Sequence, residues 1–317
     1  MRYYFYTVVE LLKLLWQWLP HDGVINTLFR RKPYANKFFT GELLPLAKAI
    51  KGRNRAKIRR LAQQLPNIDA CGRDAVTPLA FAVMANNPIA VAELIALGAN
   101  PYLHICPNPF SRVNPEGMSI GYVAMMHRQA RALKALFDAG VDPNSYDAYT
   151  RPLLFDVPDR QDSNAIDVLL DYGANVNVTD KFGQTPLFDM LHTQFDNALL
   201  CLQRGADVHQ MSDSGVTIPY IVQQALADMD ASLPVYRTML AIKQLVIEKG
   251  GEFPALSPYG ERVRHNIVFC EQPHGYRPAC ECQKVGHNRF VCPPSDEIKR
   301  HDEQLLLSRY GIRYHFD

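Results

Sequence analysis

The sequence predicts an all-α solenoid of helix-turn-helix repeats with β-turn tips, followed by a small cysteine-containing β/α extension at the C-terminus. Two recurring markers and an ordinary composition predict it. The first marker is a Thr-Pro-Leu-like start. It is clearest in Gly183-Gln184-Thr185-Pro186-Leu187 and Ala75-Val76-Thr77-Pro78-Leu79. Weaker copies are Gly117-Met118-Ser119-Ile120-Gly121, Thr150-Arg151-Pro152-Leu153 and Gly215-Val216-Thr217-Ile218-Pro219. The aligned positions are 77, 119, 151, 185 and 217, in steps of 42, 32, 34 and 32. The second marker follows each copy: Leu97-Gly98-Ala99-Asn100-Pro101, Ala139-Gly140-Val141-Asp142-Pro143, Tyr172-Gly173-Ala174-Asn175-Val176 and Arg204-Gly205-Ala206-Asp207-Val208. Lys249-Gly250-Gly251-Glu252-Phe253 is a degenerate fifth. A shared period near 33 signals stacked supersecondary units rather than one globular core. With 47% hydrophobic and 21% charged residues, wholesale disorder, collagen and coiled coil are excluded.

Residues 1–39 form the N-terminal part. From Tyr3 to Leu19 the chain is mostly apolar, and Thr7, Glu10, Lys13 and Gln17 recur at helical spacing on one stripe. That is an amphipathic helix with a wide apolar face. About 17 residues is the short limit for a bilayer, and Leu19-Pro20 reads as a helix stop rather than a cleavage site. The helix is expected to cap a core. An interfacial anchor, helped by Trp16 and Trp18, and a signal or span are the alternatives. Basic residues directly after it would resist translocation and keep the bulk of the chain cytoplasmic.

The net charge of +2 hides an asymmetry. Residues 30–60 hold eleven Lys/Arg against one acid, Glu42, so this window is +10 and the remainder is −8. It reads as a solvated polar capping face, a surface for an acidic protein, or a contact for anionic lipid. Nucleic acid is not expected, because no aromatics are interleaved with the charges.

Residues 40–253 carry the repeats. Thr before Pro starts a helix, with Pro in the first turn where its missing N–H costs little. Ile166, Val168, Leu169 and Leu170 supply the packing stripe of a second helix, and Gly173 ends it where a left-handed residue is wanted. On these residues the chain resembles the ankyrin-repeat family over about residues 40–253. Gly41 to Asp69 reads as a decayed first repeat ahead of five recognisable ones. Insertions at 102–116 and 226–236 are expected to be long loops, either contact elements or tolerated additions.

The resemblance implies a non-catalytic protein-binding surface on turn tips and first helices. Carried over residue by residue, the tips contribute Arg73, Asp74, Tyr146, Tyr149, Lys181, Phe182 and Asp213. The first helices contribute Phe81, Met84, Met126, Asp189, His192 and Gln224. The family also implies a monomer when free and one protein partner. The decayed, idiosyncratic repeats are similar in style to bacterial ankyrin proteins, some of which are immunity proteins that occlude a toxin or secreted effector. The reading from another class is a membrane-associated adaptor docked by the N-terminal helix and segment 30–60.

Gly117-Met118-Ser119-Ile120-Gly121 matches a nucleophile-elbow pattern, but no buried strand precedes it, and the repeat register already explains Ser119. No phosphate-binding glycine loop, zinc-protease helix or calcium loop is present. No enzymatic activity is therefore expected.

Residues 254–317 leave the repeat pattern. Cys270, Cys280, Cys282 and Cys292 are spaced C-x9-C-x-C-x9-C within short β-like segments. Structural zinc, held by these thiolates or by three of them with His274 or His287, fits the donors. Two disulfides fit as well and would require an oxidising compartment such as the periplasm. Unlinked thiols are the third option. The stretch Asp296 to Tyr310 reads as a helix packing through Ile298, Leu305, Leu306 and Leu307.

Overall fold

A computed structural model describes residues 34–105, 117–126, 129–145, 151–159, 164–265 and 295–314. It divides into two compact units, Met1–Pro158 with Ser163–Val168, and Asp159–Asp162 with Leu169–Asp317.

In the first unit a short helix α1 (Ala35–Phe38) precedes three helix pairs. These are α2 (Leu43–Lys51) with α3 (Arg55–Gln63), α4 (Pro78–Met84) with α5 (Pro88–Ala96), and α6 (Ile120–Met126) with α7 (Ala130–Asp138). First helices stack on first helices, and second on second. The decayed first repeat is thus a complete helix pair. The starts follow the sequence rule. The Thr77 hydroxyl accepts the Ala80 N–H at 3.1 Å ahead of α4, and the Asn87 side chain accepts that of Ala90 at 3.1 Å ahead of α5. Pro78 and Pro88 sit in the first turns. Asn87 is fully buried and also donates to the Ile50 carbonyl at 2.6 Å. One amide therefore caps a helix and ties it to the preceding pair.

The fourth repeat departs from the pattern. In place of a first helix it has a single 3-10 turn, Leu153–Asp156. Pro158 disfavours a helical residue before it, and Val157 is extended at φ −61°, ψ 135°. The turn still packs on α6. Leu153 lies so close to Gly121 that a Cβ there would be 2.6 Å from Leu153 Cδ1. The second helix of this repeat, α8 (Ala165–Asp171), lies across the division between units.

The second unit holds α9 (Pro186–Thr193) with α10 (Phe195–Gln203), and α11 (Ile218–Asp228) with α12 (Pro234–Glu248). The addition at 226–236 is not a long loop. It lengthens the helices: α11 has 11 residues and α12 has 15, against 8 and 9 in the pair before. The insertion ahead of the third repeat falls mostly outside the described residues, but its ends are joined. Ile105 and Met118 exchange backbone hydrogen bonds of 2.9 and 2.7 Å.

The described part of the tail returns to the helix-pair pattern. Helix α13 (Pro258–Arg264) begins with Ser257-Pro258, and the Ser257 hydroxyl accepts the N–H groups of Tyr259 and Gly260 at 3.2 Å. Helix α14 (Asp296–Tyr310) ends at the left-handed Gly311. Leu256, Val263 and Leu306 form a small shared core. Leu307, expected to pack, is 52% exposed. Asp302 is fully buried on α14 and accepts the Ser257 N–H at 3.0 Å and its hydroxyl at 2.5 Å. The amphipathic N-terminal helix, the β segments of the tail and Cys270, Cys280, Cys282 and Cys292 lie outside the described residues. Among the described residues no helix is long and apolar enough to cross a membrane.

Candidate binding surface

The tips of the repeats are tight, hydrogen-bonded turns. At 180–184, Asp180 N–H donates to the Gln184 carbonyl at 2.9 Å, and the Asp180 carboxylate accepts the N–H groups of Phe182 and Gln184 at 2.8 and 3.0 Å. Gly183 closes the turn at φ 70°, and a Cβ there would meet the Asp213 carboxylate at 2.9 Å. The next tip repeats the design, with Ser212 N–H donating to the Val216 carbonyl at 2.9 Å. Asp213 N–H donates to the Phe182 carbonyl at 3.0 Å, so neighbouring tips are joined. This brings Lys181, Phe182 and Asp213 into one strip, with the Lys181 ammonium 5.0 Å from the Phe182 ring centroid. Beside the strip, α9 carries Asp189 and the exposed His192, and the adjacent α11 carries the half-buried Gln224.

The tip at 73–75 in the first unit is built differently. Asp74 and Ala75 both adopt left-handed conformations, at φ 60° and 52°, without glycine. Such positions cost backbone energy and persist only where the surroundings impose them. Arg73 is exposed there and Asp74 half-buried.

Two expected contact residues are core instead. Phe81 is 0% and Met84 2% exposed, and every residue of α4 is buried. Helix α4 is covered on its front by the segment preceding α2: the rings of Phe38 and Phe39 stand edge-on to Phe81 at 6.2 and 5.3 Å between centroids. The chain's own aromatics thus fill the space a partner would need. Tyr146, Tyr149 and the side chain of Met126 lie outside the described residues. Ser119 caps α6, its hydroxyl accepting the Tyr122 N–H at 3.2 Å, as the repeat register requires.

In both units the second marker forms Asx turns. Asn100, Asp142, Asn175 and Asp207 each accept the N–H two residues on, at 2.8 to 3.0 Å. Residues two positions after this marker reach the next repeat. Asp69 accepts the Asn100 N–H at 3.0 Å, Asn177 accepts that of Asp207 at 2.8 Å, and His209 lies 3.1 Å from the Lys249 carbonyl. Asn177 also donates to the Gly205 carbonyl at 3.2 Å.

Sequence reasoning missed one ionic arrangement. Glu93 on α5 is 3% exposed and is held by Arg55 and Arg59 of α3, at 2.6 and 2.8 Å. Burial alone would raise its carboxyl. The hydrogen bonds and charges of the two arginines outweigh that and hold it below the ordinary glutamate value. A lone acid on an apolar helix was the available signal. Two of the window's basic residues thus serve an internal carboxylate, while Lys48, Lys57 and Arg60 are exposed. In the tail, the Tyr310 hydroxyl donates to Glu252 and pulls its carboxyl below the ordinary value, whereas burial pushes Glu261 up. Burial also raises the Cys201 thiol to about 12, leaving it inert, while Cys71 is exposed. Among the described residues no group of three or more His, Cys, Asp or Glu could hold a metal ion.

No protein-family model and no curated protein matches this sequence. Solved structures do. The chain is similar to the ankyrin repeat domain of Bcl-3, a member of the IkappaB protein family, with 22% identity and a TM-score of 0.53 over 68% of this chain and 90% of that one. It is also similar to an ankyrin repeat domain from Acinetobacter baumannii, with 23% identity and a TM-score of 0.48 over 65% and 97%. A chain of the complex between a predatory endopeptidase from Bdellovibrio bacteriovorus and an immunity protein has 18% identity and a TM-score of 0.46 over 65% and 97%.

Proposed function

From the premise that the chain has the ankyrin-repeat fold, we propose that it is a non-catalytic protein-binding molecule that engages one dedicated partner through the tip strip and the adjoining first helices. The observation that carries this reading is the bond from Asp213 N–H to the Phe182 carbonyl. It aligns a cation, an aromatic ring and a carboxylate on neighbouring tips, held by rigid turns. Aromatic and charged groups fixed in this way serve as interface anchors at little ordering cost. The irregular fourth repeat favours one target over many, since it breaks the uniformity of the repeats.

A finer form of the reading is inhibition. The partner is then an enzyme of the toxin or effector kind, and the chain acts as an immunity protein by covering its active site. Affinity purification from the cells that express the chain tests both. The wild type should retain one protein in stoichiometric amount, and the variant Lys181→Glu, Phe182→Ala, Asp213→Lys should retain at least tenfold less while keeping its helical circular dichroism. Retention of the same protein by both, within twofold, overturns the tip surface. A partner whose enzymatic activity is unchanged in the complex overturns inhibition.

A further inference from the structure

The outward side of α5 carries no charge. Pro88, Ile89, Ala92 and Ala96 follow one another along it, and Ile89 is 45% exposed. The helix lies between α3 and α7. The alanines leave a groove of about 570 Å³, closed on the far side by Ala135 of α7 and Ala139 just after that helix. Such a bare, uncharged stripe is unusual on a solvent-facing helix of a soluble repeat.

Its rim is charged, and the charges do not cancel. Both acids at the groove are already paired: Glu93 with Arg55 and Arg59, and Asp138 with Lys134 at 2.9 Å. Arg55 and Arg59 keep 70% and 54% of their side-chain surface in solvent despite holding Glu93. Counting the two acids with the bases that pair them, three positive charges stand against two negative ones, a surplus of one at the rim. An apolar floor under a cationic edge selects an occupant with one apolar face and acidic flanks. An amphipathic helix in a groove has this character, with apolar anchors inside and charges at the margin.

We propose that this groove on the second helices docks an acidic amphipathic helix of a protein partner. Ile89 and the alanine floor receive its apolar residues, and the free faces of Arg55 and Arg59 meet its carboxylates. The site shares no residue with the tip strip and stands whether or not that strip binds.

The test is photo-cross-linking in the full-length chain, in cells that express it, with Ile89 replaced by benzoylphenylalanine and the attached peptide sequenced by mass spectrometry. The expected adduct is a peptide of another protein with net negative charge and apolar residues three to four positions apart. Its yield should fall at least tenfold in Ala92→Glu, which puts a carboxylate in the floor, and by less than threefold in Ala92→Lys. Ala92 is exposed, so both variants should keep the wild-type circular dichroism. The absence of an adduct, an adduct to lipid, to this chain itself or to a basic peptide, or equal losses in the two variants would each overturn the proposal.

Discussion

Glu93 shows how much of a residue's role depends on a distant stretch of chain. Its two arginines precede it by 34 and 38 positions, beyond any local pattern. Removing both leaves a buried carboxylate without a partner. Arg55→Ala with Arg59→Ala should cost about 3–5 kcal/mol in urea unfolding. Each single change should cost much less, because the other guanidinium remains. The pH dependence has a definite sign. A carboxyl held below its unfolded value of 4.5 stabilises the fold above that value and loses the contribution as pH falls through the folded one. The stability gap between wild type and Glu93→Gln should therefore be full at pH 7 and shrink in acid. A gap that widened below pH 4.5 would refute the assignment. Phe81 and Met84 failed as contact residues for a related reason. Nothing in the helix-start pattern reveals that Phe38 and Phe39 fold back over α4.

At the scale of elements, helix starts were the most legible feature. Thr77-Pro78, Thr185-Pro186 and the Thr217 start all begin helices, because capping and the proline ring act within four residues; the Thr77 and Thr217 hydroxyls cap their helices, whereas the Thr185 side chain makes no cap bond and Pro186 sits in the first turn there. Two features were less legible. Pro158 replaces the first helix of the fourth repeat with one 3-10 turn, although Leu153 keeps its packing place. The pair α13 and α14 was hidden because 31 residues, 265–295, separate its helices, so no period remains to be seen. Its hinge is Asp302, whose buried carboxylate accepts both Ser257 groups at the positive end of α13. Asp302→Ala should destabilise this pair by about 1–3 kcal/mol. Hydrogen exchange should quicken in Tyr259–Arg264 and stay unchanged in α4 and α5. Uniform quickening would show that Asp302 does not act locally.

Across the whole molecule, stability should be distributed repeat by repeat, because each pair is supported chiefly by its neighbours. Phe81→Ala empties a fully buried ring position and should cost about 3–5 kcal/mol. Its effect on hydrogen exchange should be largest in α2 to α7 and weakest in α11 and α12. Equal loss of protection throughout would indicate a single cooperative block. The period near 33 made the architecture readable at this scale, since both markers recur with the spacing of the helix pairs. The surface was less readable, because exposure depends on what covers each helix. The joints between repeats carry a further consequence. Asp69 offers a carboxylate to its neighbour, Asn177 an amide and His209 an imidazole. Each connector is chemically different, so the repeats are not interchangeable bricks. Excising or transposing one would leave mismatched couplings at both seams, and the order of the units is thereby written into the protein as firmly as their number.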